Sequence, residues 1–385
     1  MDKRLKLLGI DEDVLYLILN QCSLRDCIRL RAVCKTLLQV SRWSTGSSTR
    51  LPWLMMISDP NSSSVEEEEA RCFFSVSDST IHNAIKFPEI RGKRCCGSFY
   101  NANARGWLIA IDDDNFESLL FHPWRKIQLQ LPDHSSLPRK LPLRPFFANM
   151  KIRTAAMSDD ASVVVVVYDA YHSAFCRIGD EVWTLINPIA NNSFQYICDV
   201  IYHRGQFYVV NIEGRVGVIR MNAEDPCVEF LSEEVMTDGY PRTYLVSDSE
   251  RLLIFVRNSP SLMDEQIPEP LDYNIRKTLG FKVYELALEE NGEWKKDPVE
   301  VKSLGDRIIF LGQNSSILFM AGQISGFKGN RIYFTDDFME ACFYKSPIGY
   351  LDLGVFNMED KTIQRLFADR GHPILSPPIW IAPPL

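Results

Sequence analysis

Apolar and polar positions along this chain follow two rhythms, and the change comes near residue 45. Over residues 10–40 the spacing is helical. Val14, Leu15, Ile18 and Leu19 recur at i, i+1, i+4 and i+5, and Leu30, Val33, Cys34, Leu37 and Leu38 at i, i+3, i+4, i+7 and i+8. Each set lines one side of a helix, with a shorter stripe of Leu24, Cys27 and Ile28 between them. Asp11, Glu12 and Asp13 stand where a helix N-terminus has unpaired N–H groups and positive partial charge. After a break at Gln21-Cys22, Ser23-Leu24-Arg25-Asp26 restarts the pattern as a capping box. Three short helices are predicted. A segment this small cannot bury enough apolar surface to stand alone, so it must pack on the following domain, on another protein, or on both.

From Leu51 onward the rhythm is that of strands. A turn rich in Gly, Asp or Asn leads into four to seven apolar, β-branched or aromatic residues, and another turn follows. Instances begin at 106–111, 163–168, 205–210, 252–256, 307–311 and 329–334, spaced by about 42 to 57 residues until the last, which comes sooner. That period is close to the roughly 40–50 residues of a four-stranded propeller blade. The glycines at the head of these strands are expected to supply the φ > 0 geometry of tight turns. Residues 44–50 read as a linker, and the acidic, Ser-rich stretch 59–69 as a solvated loop. The predicted organisation is therefore a helical domain over 1–43, the linker, and a mainly β domain over 51–385. A propeller of six or seven blades is favoured over a two-sheet sandwich, because hairpin signals run to the end and the length exceeds a single sandwich.

Composition narrows the function more than the fold. A net charge of −8 and a pI of about 5.4 argue against a nucleic-acid binder, which normally presents a basic face. No apolar window approaches a membrane span, and the N-terminus lacks a signal-peptide pattern, so cytoplasm or nucleus is expected. Ten cysteines without a Cys-x-x-Cys pair fit a reducing compartment, where the Asn-x-Ser matches at Asn61, Asn191 and Asn314 stay inert.

Candidate chemistry is sparse. The chain has no phosphate loop, no Gly-x-Ser-x-Gly elbow and no His-Glu-x-x-His helix, so no catalytic residue, cofactor or metal is expected. The six histidines, at 82, 122, 134, 172, 203 and 372, are scattered and read as surface or turn residues. Cys22, Cys27 and Cys34 fit helix packing better than zinc, and Cys95-Cys96 fits a strand better than a redox disulfide. Asp112-Asp113-Asp114 and Asp336-Asp337 read as turn carboxylates rather than calcium or glycosidase groups. Trp53, Trp107, Trp124, Trp183, Trp294 and Trp380 are expected to pack between blades, unless an exposed subset anchors a protein partner.

Two resemblances complete the sequence reading. Residues 10–35 resemble the F-box, matching it at Glu12, Asp13, Ile18, Leu19, Leu24, Asp26, Arg31, Val33, Cys34 and Lys35. They depart from it at Asp11, Cys22 and Leu37, where Pro, Leu and Trp are usual. The strands resemble a group of plant F-box proteins with a KIB-type, kelch-like β-propeller. The likeness rests on Leu51-Pro52-Trp53-Leu54, Gly106-Trp107-Leu108, His122-Pro123, Leu304-Gly305-Asp306-Arg307, Lys328-Gly329-Asn330-Arg331-Ile332-Tyr333-Phe334 and Pro377-Pro378-Ile379-Trp380. Residues 101–105 look inserted relative to that group, and His122 stands where Asn is usual.

The resemblance implies a substrate-recognition subunit of a Skp–cullin–F-box ubiquitin ligase, with no chemistry of its own. Ile10, Val14, Leu15, Ile18, Leu19, Leu24, Ile28, Val33, Cys34 and Leu37 would meet the Skp-type adaptor, and through it the cullin. The propeller would hold a target protein. The departures at Asp11 and Leu37 leave a second reading, a propeller scaffold that has lost adaptor binding.

Overall fold

The run Val163–Tyr168 is apolar at every position, which a strand tolerates only when both of its faces are buried. The structure is a computed structural model that describes residues 51–57, 70–77, 79–99, 105–137, 152–168, 172–187, 196–221, 225–235, 241–248, 251–259, 278–324, 326–337, 352–366 and 377–383. In it Val164, Val166 and Tyr168 join a core with Ile109, Ile111 and Leu120, while Val165 and Val167 join another with Val200, Phe207 and Val209. The strand Arg251–Asn258 repeats the arrangement. Leu252, Ile254 and Val256 pack with Tyr208 and Val210, and Leu253 and Phe255 with Ile309, Ile332 and Phe334. Alternate side chains of one strand thus serve two cores, each lying between neighbouring sheets.

The sheets follow one another along the chain. Strands β1 to β3 (Trp53–Ile57, Ala70–Ser75, Thr80–Lys86) belong to blade 1 and β4 to β7 (Arg94–Ser98, Leu108–Ile111, Ser118–His122, Ile127–Leu131) to blade 2. Blade 3 holds β8 to β11 (Ile152–Met157, Val163–Tyr168, His172–Arg177, Thr184–Ile186) and blade 4 β12 to β15 (Ile197–His203, Gln206–Asn211, Val216–Arg220, Cys227–Phe230). Blade 5 holds β16 to β19 (Arg242–Asp248, Arg251–Asn258, Gly280–Ala287, Val299–Glu300). Blade 6 is built from β20 to β24 (Arg307–Leu311, Ile317–Met320, Arg331–Phe334, Gly354–Asn357, Ile363–Arg365). The last strand, β25 (Ile379–Ile381), returns to pair with β1 and completes blade 1 in the order β25-β1-β2-β3. The architecture is a six-bladed β-propeller, within the range that the repeat spacing predicts.

Blade 6 departs from the four-stranded plan. Its order is β21-β20-β22-β23-β24, and β20 runs parallel to β22 because the hairpin strand β21 has folded back on the other side. The early recurrence of the strand signal at 329–334 now has its cause: β20 and β22 are neighbours within one blade.

Two of the three strand-heading glycines behave as expected. Arg204 and Gly205 have φ of 50° and 82° between the paired residues His203 and Gln206, the two-residue hairpin that needs positive φ at both positions. Gly106 has φ +88°. Gly329 does not belong with them. The positive φ there is carried by Asn330 (62°), and Gly329 is required for space: an added Cβ would lie 2.5 Å from the Gly305 carbonyl oxygen.

Ring closure rests on Trp380. Its side chain is fully buried, its indole N–H donates to the Leu311 carbonyl at 3.1 Å, and its ring meets Phe310 edge-on at 5.1 Å. It therefore ties the closing strand to blade 6 while β25 itself is bonded to β1. Trp380→Ala should cost about 3–5 kcal/mol, the usual range for removing a buried large aromatic. Urea unfolding of the full chain checks this, and a loss below about 1 kcal/mol would mean that closure does not depend on this side chain.

Candidate functional site

All ten residues expected to contact an adaptor, Ile10, Val14, Leu15, Ile18, Leu19, Leu24, Ile28, Val33, Cys34 and Leu37, lie outside the described residues. The propeller supplies the remaining candidates, and its axis is the first place to look for a pocket.

The axis is occupied by protein. The turn 312–316, between β20 and β21, reaches the inner strands of the other blades. Gly97 of β4 donates its N–H to the Gln313 carbonyl at 2.7 Å, and Ser315 donates to the Ser98 carbonyl at 3.0 Å. The Ser315 hydroxyl donates to the Ala155 carbonyl of β8 at 3.4 Å, and the Ser316 hydroxyl to Asp199 of β12 at 3.3 Å. On the blade 1 side, the Trp380 N–H donates to the Asn314 side-chain oxygen at 3.4 Å. Strand β21 also packs against β16 of blade 5. Gln313 and Asn314 are fully buried. Small residues make room: Gly97, at φ +62°, would bring an added Cβ to 3.1 Å from that of Ala155, and a Cβ on Gly312 would meet the Thr335 hydroxyl at 2.3 Å. The sequence shows Gly312-Gln313-Asn314-Ser315-Ser316 as an ordinary polar turn. Its one local clue is that apolar runs flank it at 308–311 and 317–319 with hardly any spacer.

The acidic groups divide. Asp112 behaves as a turn residue, accepting from the N–H groups of Asp114 and Asn115 at 3.1 and 3.0 Å. Asp113 pairs with Arg94 at 3.1 Å. Asp337 corrects the turn reading of Asp336-Asp337, because its side chain is buried rather than solvated. It forms an ion pair with Arg242 at 2.8 Å and accepts from Tyr244 at 2.6 Å and Arg257 at 3.1 Å. Arg257 also reaches Asp352 at 2.8 Å, the Thr278 hydroxyl at 2.7 Å and the Thr335 carbonyl at 2.8 Å, with its guanidinium over the Phe334 ring. Two guanidinium groups and two carboxylates thus join blade 5 to blade 6 with their hydrogen-bonding capacity turned on one another. Among the described residues no group of three or more His, Cys, Asp or Glu side chains is placed to hold a metal.

Two histidines also correct the sequence reading. His122 and His134 are each 2% exposed, not at the surface. His134 bonds the Ser118 hydroxyl at 3.2 Å under the Phe116 ring. His122 accepts the Arg125 N–H at 3.3 Å and packs edge-on to Trp107; Gly106 is glycine beside it because a Cβ would stand 2.9 Å from the imidazole Nε2. Burial, aided by the nearby Arg125 charge, pushes its pKa down to about 4. Cys95 and Cys96 are buried and form no disulfide, and burial lifts the Cys96 thiol to about 12, far from a reactive thiolate. Trp53, Trp183 and Trp380 are buried, while Trp107, Trp124 and Trp294 are half-buried, so the packing expectation holds for the six.

What is left for recognition is the outside. Exposed apolar side chains stand on outermost strands of three blades, Ile81 on β3, Ile127 and Leu129 on β7, and Val299 on β19, with Phe116, Val182 and Leu279 on turns. Such a surface can bind a macromolecule.

The fold is a six-bladed β-propeller closed by the pairing of β25 with β1. Residues 73–357 match the KIB1-4 beta-propeller family, and the chain belongs to it. Its relatives in Arabidopsis thaliana include F-box protein At2g26160, 28% identical over 42% of this chain and 46% of the relative. F-box protein SKIP23 is 24% identical over 57% of this chain and 53% of the relative. "Probable F-box protein At1g65740" is 27% identical over 61% and 66%. The chain thus spans about half to two thirds of the length of these curated relatives. The resemblance to plant F-box proteins with a KIB-type propeller holds.

Two outcomes follow from the buried polar groups. Arg257→Gln should destabilise the protein by about 3–5 kcal/mol, because it strands the Asp337 and Asp352 carboxylates. A denaturation midpoint equal to that of the native protein would show the network to be dispensable. For His122 the folded value lies below the ordinary 6.5, so the unfolded chain takes up the proton first as pH falls. Its contribution is complete above pH 6.5 and is lost on acidification toward pH 4. His122→Asn should remove that slope, leaving the native protein to lose about 1–2 kcal/mol more than the variant between pH 6.5 and 5. Urea midpoints at the two pH values measure it, and parallel profiles would contradict the buried neutral imidazole.

Proposed function

We propose that this chain is the substrate-recognition subunit of a Skp–cullin–F-box ubiquitin ligase. Residues 1–43 form the F-box that docks the Skp-type adaptor, 44–50 are the linker, and the propeller over 51–385 holds the target protein. The observation that carries the reading is that relatives of this chain are named as F-box proteins, while residues 10–35 here carry the F-box order of residues. Support also comes from the axis of the propeller, which the 312–316 turn fills, leaving outer surfaces for recognition. The chain then acts by proximity. It raises the effective concentration of target lysines near the loaded ubiquitin-conjugating enzyme and carries out no covalent step itself. No described helix is long and apolar enough to cross a membrane. Work in the cytoplasm or nucleus, without nucleic acid, belongs to the same proposal.

Asp11 and Leu37 favour one alternative, a propeller scaffold without adaptor binding, since a missing Trp at 37 removes a large anchor. The two readings separate on one experiment. Burying a leucine-sized side chain contributes about 1.5–3 kcal/mol, so Ile18→Asp with Leu19→Asp should abolish adaptor capture. The propeller should keep its unfolding midpoint. Equal adaptor capture by both proteins sinks the ligase assignment, and failure of the native chain to capture adaptor at all supports the scaffold.

A further inference from the structure

Asp199 is 2% exposed on β12, at the level of the axis. Its Oδ1 accepts the N–H of Val200 at 2.9 Å and the Thr154 hydroxyl at 3.4 Å; its Oδ2 accepts the Leu245 N–H at 3.0 Å and the Ser316 hydroxyl at 3.3 Å. The four donors come from blades 4, 3, 5 and 6.

Among the described residues this carboxylate has no ion-pair partner. On the elements packed against it, the charged or titratable groups are Arg153 on β8, Tyr168 on β9, Cys198, Tyr202 and His203 on its own strand, Tyr208 on β13, and Arg242, Tyr244 and Asp248 on β16. The hairpin 312–320 carries none. Arg242 attracts Asp199, but its guanidinium is bound to Asp337 at 2.8 Å. Burial therefore works against four hydrogen bonds, and the carboxyl is pushed up to about 7. The chemistry of the protonated form is constrained. Two of the partners are backbone N–H groups that can only donate, so the acid proton must be given to the Thr154 or Ser316 hydroxyl. That bond reverses direction and stops being charge-assisted.

We propose that Asp199 is a proton-responsive coupling at the propeller axis, through which blade 4 holds blade 3 and blade 6 differently in its ionised and protonated forms. The sign follows from the folded value lying above the ordinary 3.8. The folded protein takes up the proton before the unfolded chain does, so the stability due to this group is complete at acid pH. It is lost as pH rises from about 4 to about 7 and is constant above that.

The test uses the full-length chain. Urea midpoints of native protein and Asp199→Asn are compared from pH 5 to 8, so that contributions of other groups, His122 included, cancel in the difference. The folding constant of the native protein should fall relative to the variant by up to tenfold per pH unit below 7, and the difference should level off above it. Carbon-13 NMR of aspartate-labelled native protein should show one carboxyl titrating near 7, moved higher in Ser316→Ala, which removes a donor to the ionised form. If Asp199→Asn does not fold, these two NMR titrations decide alone. An Asp199 carboxyl that titrates near 4, one that Ser316→Ala does not shift, or a pH-independent difference between native and Asp199→Asn proteins would overturn the proposal.

Discussion

The hydrogen bonds of the 312–316 turn are the constraint on which the rest of this propeller depends. A ring of sheets packed only by apolar cores would leave its inner strands facing a hollow, with polar backbone and no partner. Here one hairpin of blade 6 answers blades 1 to 4 through Asn314, Gln313, Ser315 and Ser316, while its second strand lies on blade 5. That geometry requires Gly97 and Ala155 to be small and Gly312 to have no side chain. It also gives blade 6 its fifth strand and its parallel pair. The structural consequence is direct: protein, not an open channel, lies between the inner strands at this level of the ring.

Between blades the forces differ from seam to seam. Blades 3 and 4 meet mainly through aliphatic side chains such as Val165, Val167, Val209 and Ile219, joined by Phe175 and Phe207. Blades 1 and 2 meet through rings, with Phe73, Phe87, Phe121 and Trp124 in edge-on and tilted contacts. The seam between blades 5 and 6 has an aromatic core around Phe281, Phe334 and Phe356 and adds the Arg257 network. Apolar burial supplies the larger share of stability, since buried ion pairs recover little beyond their desolvation cost. What the guanidinium groups add is direction. Arg257 is satisfied at one mutual placement of β17, Thr278, Thr335 and Asp352, and a slipped seam would leave its charge unpaired.

Much of this fold was legible in the amino-acid order because two-sided burial leaves a strong trace. A strand such as β9 or β17 must be apolar at consecutive positions, and repeats of that signal at blade spacing point to a propeller. The positions that misled are those where distant partners decide. Nothing near Asp337 in sequence shows that Arg242 and Arg257 will surround it, so it looked like a turn residue. His122 and His134 resembled surface histidines for the same reason, since their cover comes from Trp107 and Phe116 in neighbouring strands and turns. Gly329 was assigned a conformational role although its cause is the backbone at Gly305 and Asp306. The polar turn at the axis was the least visible feature, because solvent and the inside of a ring select the same small polar residues.

The pairing of β25 with β1 has a consequence for biosynthesis. More than 300 residues separate the two strands, so β1 keeps one bare edge until β25 has been synthesised. A chain truncated ahead of β25 would leave that edge of blade 1 without its partner strand.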